Sequence, residues 1–392
     1  MINPDWLARM KPILTAVVFA AACCTAFAQT TDTLSASSPP AFASAGIGAK
    51  FSVTGYVETY YVHDFSARKT AQERPDFLYN HKRNREVNIN LAVARLAYTD
   101  ERVRANLALQ AGTYPQYNYA SEQELVRPLF EANVGLKLSE NRDCWLDAGI
   151  FSSHIGFESA ISKDCWTLTR SIVAENSPYY LSGVKVTYTT GTADQPTGKW
   201  TLVGSVVNGW QHITRLAGYS GPSFSTQVQY RPSAKLTLNW SSFIGSDRPD
   251  SLRQRRVYHN LYAIINPAGR FGVMLGFDIG ADRRPVTSNG GRAGHGSYVW
   301  YSPVLIARYK TTGRSYVNGR LEYYDDQEGV MIPIPGFKTV GYSLGYDYAL
   351  LDGMALFRVE GKVYAGKAAI FETAQGLSRT NASLTTSLAV SF

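Results

Sequence analysis

The sequence predicts an all-β protein, a transmembrane antiparallel up-and-down β-barrel of about 16 strands with short periplasmic turns and long extracellular loops. Three observations carry that reading. From Phe51 onward, stretches of roughly ten or more residues alternate apolar and polar side chains, the period of a strand with one greasy and one wet face. The breaks between these stretches alternate in length, long then short, as they must when a barrel keeps its short turns at one end and its long loops at the other. The chain stops on Asn381–Phe392, with Ala382, Leu384, Leu388, Val390 and Phe392 on one face and Asn381, Ser383, Thr385, Ser387 and Ser391 on the other. A closing strand in lipid has reason to be so patterned, because an unpaired edge there strands backbone groups without partners.

Composition agrees. The chain is 45% hydrophobic with 25 Tyr and 33 Gly, too polar on average for a helical membrane protein and rich in Tyr for a soluble enzyme. Residues 1–28 read as a signal peptide: Arg9 and Lys11 are basic, Pro12 to Thr25 is apolar, and Ala26-Phe27-Ala28 forms a small-x-small cleavage site. Removing them lowers the formal charge from +8 to +7. The basic residues are scattered singly along strands, so nucleic acid is not an expected partner. Residues 29–50 read as a flexible periplasmic lead-in rich in Ser, Ala, Thr and Pro, and 51–392 as the outer-membrane barrel.

The expected strands, in order, are Phe51–Asp64, Arg85–Thr99, Arg102–Tyr114, Arg127–Ser139, Cys144–Ser152, Pro178–Thr190, Lys199–Trp210 and Pro222–Arg231. They continue as Lys235–Asp247, Arg255–Asn266, Arg270–Asp282, Tyr298–Thr311, Arg314–Asp326, Phe337–Ala349, Met354–Ala365 and Asn381–Phe392. In the second, Val87, Ile89, Leu91 and Val93 share one face; in the fourth, Phe130 shares a face with Ala132, Val134 and Leu136. Long connections are expected at 65–84, 115–126, 153–177, 283–297 and 327–336, among others, and Trp145, Trp200, Trp210, Trp300, Tyr301, Tyr323 and Tyr324 are expected to form interfacial girdles.

The polar faces would line the lumen. They carry Arg104, Glu131, Lys137, Lys185, Asp278, Arg308, Arg320, Glu322, Arg358, Glu360 and Lys362. Charges of both signs argue for a hydrated passage over a packed core, because unpaired buried charge is costly. Bases outnumber acids in this set, which suggests a mild preference for anions. The connection 153–177 holds Phe157, Ile161, Trp166, Leu168, Ile172 and Val173, residues ill suited to a solvated loop. It is expected to fold inward and narrow the pore, with Lys163, Asp164, Arg170 and Glu175 as candidate lining charges; a cap over the mouth is the alternative. Cys144 and Cys165 read as unpaired thiols.

Catalytic signals are weak. Gly341-Tyr342-Ser343-Leu344-Gly345 matches G-x-S-x-G but lies mid-strand, without the strand-to-helix elbow a nucleophile needs. The six His are dispersed, and the Gly290-Gly291 stretch has no strand–helix context for phosphate. No catalytic residue, cofactor or metal site is expected.

Several runs resemble the β-barrel porin-2 (OmpL-like) family of Gram-negative outer-membrane proteins. They include GYVETYYVHDF (55–65), RPDFLYNH (74–81), RVRANLALQAGTY (102–114), FEANVGLKLS (130–139), the long stretch 145–180, LGFDIGA (275–281), WYSPVLIARYK (300–310) and TTSLAVSF (385–392). The resemblance implies an outer-membrane porin, with Leu388, Val390 and Phe392 as a terminal signal for the outer-membrane assembly machinery. The expected function is a channel for passive diffusion of small hydrophilic solutes, in contact with outer-membrane lipid. An outer-membrane phospholipase and a closed barrel acting as adhesin or receptor are the alternatives. The solute, the pore radius and assembly as a homotrimer are left open.

Overall fold

The computed structural model describes residues 50–392 apart from 69, 191–198, 216, 220, 247, 253, 266–269 and 288–292. The expected signal peptide and all but the last residue of the lead-in lie outside the described residues. The strands run β1 (Phe51–Asp64), β2 (Val87–Thr99), β3 (Val103–Ala111), β4 (Leu129–Lys137), β5 (Asp143–Ser152), β6 (Tyr180–Thr189), β7 (Trp200–Val207) and β8 (Ser223–Ser233). They continue as β9 (Leu236–Gly245), β10 (Arg255–Ile265), β11 (Phe271–Thr287), β12 (Ala293–Lys310), β13 (Ser315–Asp326), β14 (Phe337–Leu350), β15 (Ala355–Gly366) and, after a small hairpin of β16 (Phe371–Thr373) and β17 (Gly376–Ser378), β18 (Thr380–Ser391). Among the described residues, β1 to β15 and β18 pair antiparallel, each with its neighbour, into one closed 16-stranded barrel. All sixteen expected strands are present.

Closure is made by β18 against β1, from Tyr56 opposite Ser391 to Asp64 opposite Ser383. The last residue completes it: Gly55 N–H donates to the Phe392 carbonyl at 2.5 Å, and Phe392 N–H donates to the Gly55 carbonyl at 3.0 Å. Gly55 is needed here, because a Cβ at that position would collide with the Phe392 ring. Leu384, Leu388, Val390 and Phe392 are exposed on the outer face, whereas Asn381, Ser383, Thr385 and Ser387 are buried on the inner one.

Four expectations change. Strand β2 carries a β-bulge: Glu58 faces Leu91 and Thr59 faces Ile89, leaving Asn90 unpaired. The extra residue reverses the side-chain parity, so Val87 and Ile89 are exposed outside while Leu91 and Val93 are buried inside. A second bulge, opposite Ala108 and Leu109, turns Phe130 inward in the same way. The connection expected at 283–297 is largely strand, because β11 and β12 stay in register out to Thr287 opposite Ala293. Strand β3 stops at Ala111, where Gly112 takes φ 126°, and Thr113–Asn118 forms a short helix, α1.

The aromatic girdle also needs correcting. Trp210, Trp300 and Tyr324 are buried inside the barrel, in an apolar cluster with Phe243, Tyr258, Phe337 and Tyr364. Trp145 lies against the Arg104 guanidinium at 4.3 Å. Of the expected residues Trp200 does face outward near a short turn, where it is joined by Phe51, Phe271, Tyr309, Tyr348, Phe357 and Phe392. Aromatic residues suit strands on either face, so position near a strand end did not decide which way each ring pointed.

Candidate functional site

The lumen is occupied by two long connections. Segment 153–177 crosses it, and part of 65–86 packs beside it. Near its start, the His154 carbonyl accepts from Ser241 Oγ at 2.8 Å, and Gly156 N–H donates to Asn260 Oδ1 at 3.1 Å. Farther along, the segment meets the opposite wall. Thr169 donates through its N–H and Oγ1 to Glu360, both at 2.7 Å, and Ile172 N–H donates to Glu322 at 2.5 Å. Arg320 donates to Thr167 Oγ1 at 2.8 Å and to the Thr169 carbonyl at 2.7 Å. Arg358 reaches the Ser162 carbonyl at 2.6 Å while holding Asp347 through two bonds of 2.9 Å, and Lys362 donates to the Arg170 carbonyl at 2.8 Å.

The segment can be buried because its own chemistry satisfies it. Ile155, Leu168, Ile172 and Val173 enter the apolar interior. Arg170 folds back on the segment's backbone, donating to the carbonyls of Ser159, Leu168 and Ala160 at 2.6, 2.5 and 2.9 Å. Ser171 Oγ accepts from Ala174 N–H at 3.2 Å and caps the single-turn helix α2, Ile172–Glu175. Glu175 then accepts from the backbone N–H groups of Tyr79 and Asn80 at 3.0 and 3.2 Å, joining the second connection to the first. That second connection is fixed in turn by His81, which lies 3.3 Å from Glu58, and Glu58 accepts from Ser162 Oγ at 2.6 Å.

The candidate lining charges therefore divide. Arg170, Glu175, Arg320, Glu322, Arg358 and Glu360 face inward but are buried, each 3% exposed or less. Lumen charge implied water in the sequence, whereas here the second partner of each strand charge is the inward segment. Arg320 is the hub, within 3.2 to 3.4 Å of Glu360, Glu322 and Glu158. Lys163 is half-buried and Asp164 exposed. Lys137 is half-buried near the short-turn end, close to where Arg104 holds Asp147, and farther along the same strand Glu131 pairs with Arg95 at 3.2 Å. Lys185 lies over the Phe151 ring at 4.2 Å, and Arg308 stacks on Trp166 at 4.6 Å.

Burial sets the charge states in the inward segment. It raises Glu158 above its ordinary value, against the pull of Arg320 and the Ser171 bonds, and partial desolvation of the carboxyl raises Asp164 too, although that side chain is otherwise exposed. It pushes His154 down to about 3 and the Cys165 thiol up to about 11, so His154 is neutral and Cys165 protonated near neutrality. Cys144 and Cys165 are both free. Ser343 sits in the middle of β14, which continues to Leu350 before a turn.

Three participants were not singled out from the sequence: Asp347, Glu158 and Thr169. Asp347 was accessible to it, since the β14–β15 register sets it opposite Arg358. Glu158 and Thr169 were not, because nothing in the periodicity of a strand says which loop residue crosses to it.

A family model described as "Putative beta-barrel porin-2, OmpL-like" matches residues 50–392. No curated protein matches the chain significantly. Among solved structures, the anion-selective porin from Comamonas acidovorans aligns with a TM-score of 0.55 at 12% identity, over 87% of this chain and 99% of that one. OmpF of Salmonella typhi, in complex with daunomycin, aligns with a TM-score of 0.55 at 9% identity, over 87% and 97%. OmpT of Vibrio cholerae aligns with a TM-score of 0.52 at 9% identity, again over 87% and 97%. At these identities the likeness is one of fold.

Proposed function

The chain belongs to the β-barrel porin-2 (OmpL-like) family, and from that membership we propose an outer-membrane channel through which small hydrophilic solutes diffuse passively, with a mild preference for anions. One observation carries the preference. Most acids of the inner wall (Glu58, Asp147, Asp278, Glu322, Asp347, Glu360) are buried in bonds, whereas Lys137, Lys185 and Arg308 are partly exposed with no carboxylate bonded to them among the described residues, and Arg95 and Arg104, though paired with Glu131 and Asp147, keep part of their side chains exposed. A passage lined by one sign of charge concentrates the opposite ion. Reversal potentials across planar bilayers in a salt gradient test this: anion selectivity is expected, weakened by Arg104→Gln with Lys137→Gln, and cation selectivity would refute it.

The exposed apolar outer face is what outer-membrane lipid would surround, and Leu388, Val390 and Phe392 are the residues that the assembly machinery would read. A homotrimer is proposed to pack through the alanine-bearing outer face of β2 to β5 (Ala94, Ala105, Ala132, Ala148); an unheated gel band at three chain masses is expected, and a monomer band would oppose it. The apolar cluster around Trp300 and Phe337, which packs against Ile172 and Val173, favours a second reading, a closed barrel serving as receptor or adhesin. Single-channel conductance separates the two, since a closed barrel passes no current.

A further inference from the structure

A cavity of about 230 Å³ lies between the start of the inward segment and the barrel wall. It has room for about eight waters and falls below the size of pockets that hold drug-sized ligands. Its lining combines four rings, Phe130, Phe157, Tyr179 and Tyr262, with two carboxylates, Glu158 and Asp164, and includes no basic side chain. The carboxylates are not equivalent. Glu158 is held by Ser171 and lies 3.4 Å from Arg320, so its charge is compensated. Asp164 is exposed on the segment yet partly desolvated at its carboxyl, which has no hydrogen-bond partner among the described residues; Lys163, Arg170 and Arg95 act on it through space. Arg170 has its donors on backbone carbonyls, and Arg95 pairs with Glu131.

The other polar groups of the lining are neutral hydroxyls, each already in one bond. Ser152 Oγ donates to Glu131 at 2.5 Å, while the Ser153 and Ser159 hydroxyls accept from Ile155 and Ile161 N–H, at 3.0 and 3.1 Å. The Tyr262 hydroxyl accepts from Gln229 at 3.1 Å. A neutral sugar could use those hydroxyls but would leave the carboxylate charge unmatched, and an anion would meet two carboxylates. No group of three or more metal-ligating side chains occurs among the described residues, which disfavours an inorganic cation. A carboxylate without a directly bonded counter-ion, among aromatic faces, suits an organic cation, attracted by the charge and by the negative faces of the rings.

We propose that this cavity is a binding site for small organic ammonium compounds, with the cation against Asp164 and the rings of Phe157, Tyr179 and Tyr262. Its sign is opposite to that of the exposed bases elsewhere on the inner wall, so an amine held here would sit within a lumen that otherwise attracts anions. Binding does not require conduction, so the site stands apart from the channel reading.

The test is calorimetric titration of the full barrel in detergent micelles with choline, and with glucose and acetate as neutral and anionic probes. Choline is expected to bind saturably with glucose and acetate silent. Asp164→Asn should weaken choline by about tenfold or more, and Tyr262→Leu should weaken it less, both in protein whose heat-modifiable gel mobility shows a folded barrel. Absence of saturable choline binding, glucose binding as tight as choline, or an unchanged affinity in Asp164→Asn would each overturn the proposal.

Discussion

Arg320 stands at 3% exposure among three carboxylates, and removing its charge leaves Glu158, Glu322 and Glu360 buried with Lys362 as the nearest counter-ion. Losing one partner of a buried ionic cluster costs about 3–5 kcal/mol, so Arg320→Met should release the inward segment rather than only soften it. Trypsin cleavage at Lys163 or Arg170 in the folded barrel measures this: wild type should resist, and the variant should be cut. His154 gives a second residue-scale expectation. Its native proton affinity is depressed to about 3 from an ordinary value of 6.5, mainly by burial and next by Lys185. The stability it contributes is thus present above pH 6.5 and lost as pH falls toward 3. Between pH 7 and 4, amide protection in residues 153–160, corrected for the intrinsic exchange rate at each pH, should fall more in wild type than in His154→Gln; an equal fall would assign the effect to other groups.

At the scale of elements, the strands were legible because a lipid-facing barrel imposes a strict period of two and a strict alternation of connections. Parity was legible only up to a bulge: Asn90 and Phe130 each insert one residue, and no composition signal distinguishes an inserted Asn or Phe from a paired one. The inward turn of segment 153–177 was legible from its apolar content, since Phe157, Trp166 and Ile172 had to be covered by something. Its partners were not, because Glu322, Arg358 and Glu360 alternate with apolar residues in the same way whether they face water or a crossing chain. Deleting residues 160–173 should raise single-channel conductance several-fold; an unchanged conductance would mean that the segment caps the lumen without limiting flow.

For the whole molecule, the β1–β18 seam that closes the barrel ends on contacts made by the terminus. Phe392 supplies both the last backbone bonds to Gly55 and a ring against it. Removing Phe392 should impair insertion, seen as loss of the heat-resistant folded band in membrane fractions, while export of the chain continues. Normal assembly of the truncated chain would reduce the terminus to an ordinary strand end.

The bonds across the lumen also impose an order on events. Thr169 to Glu360 spans 191 residues, Ile172 to Glu322 spans 150, and Ser162 to Arg358 spans 196. Contacts of such separation form late, after the loops between them have closed. Until β13 to β15 have taken their places, residues 153–177 have none of the partners that make their burial affordable. The interior can therefore be filled only once that wall exists, so the chain is kept from plugging itself before it has become a barrel.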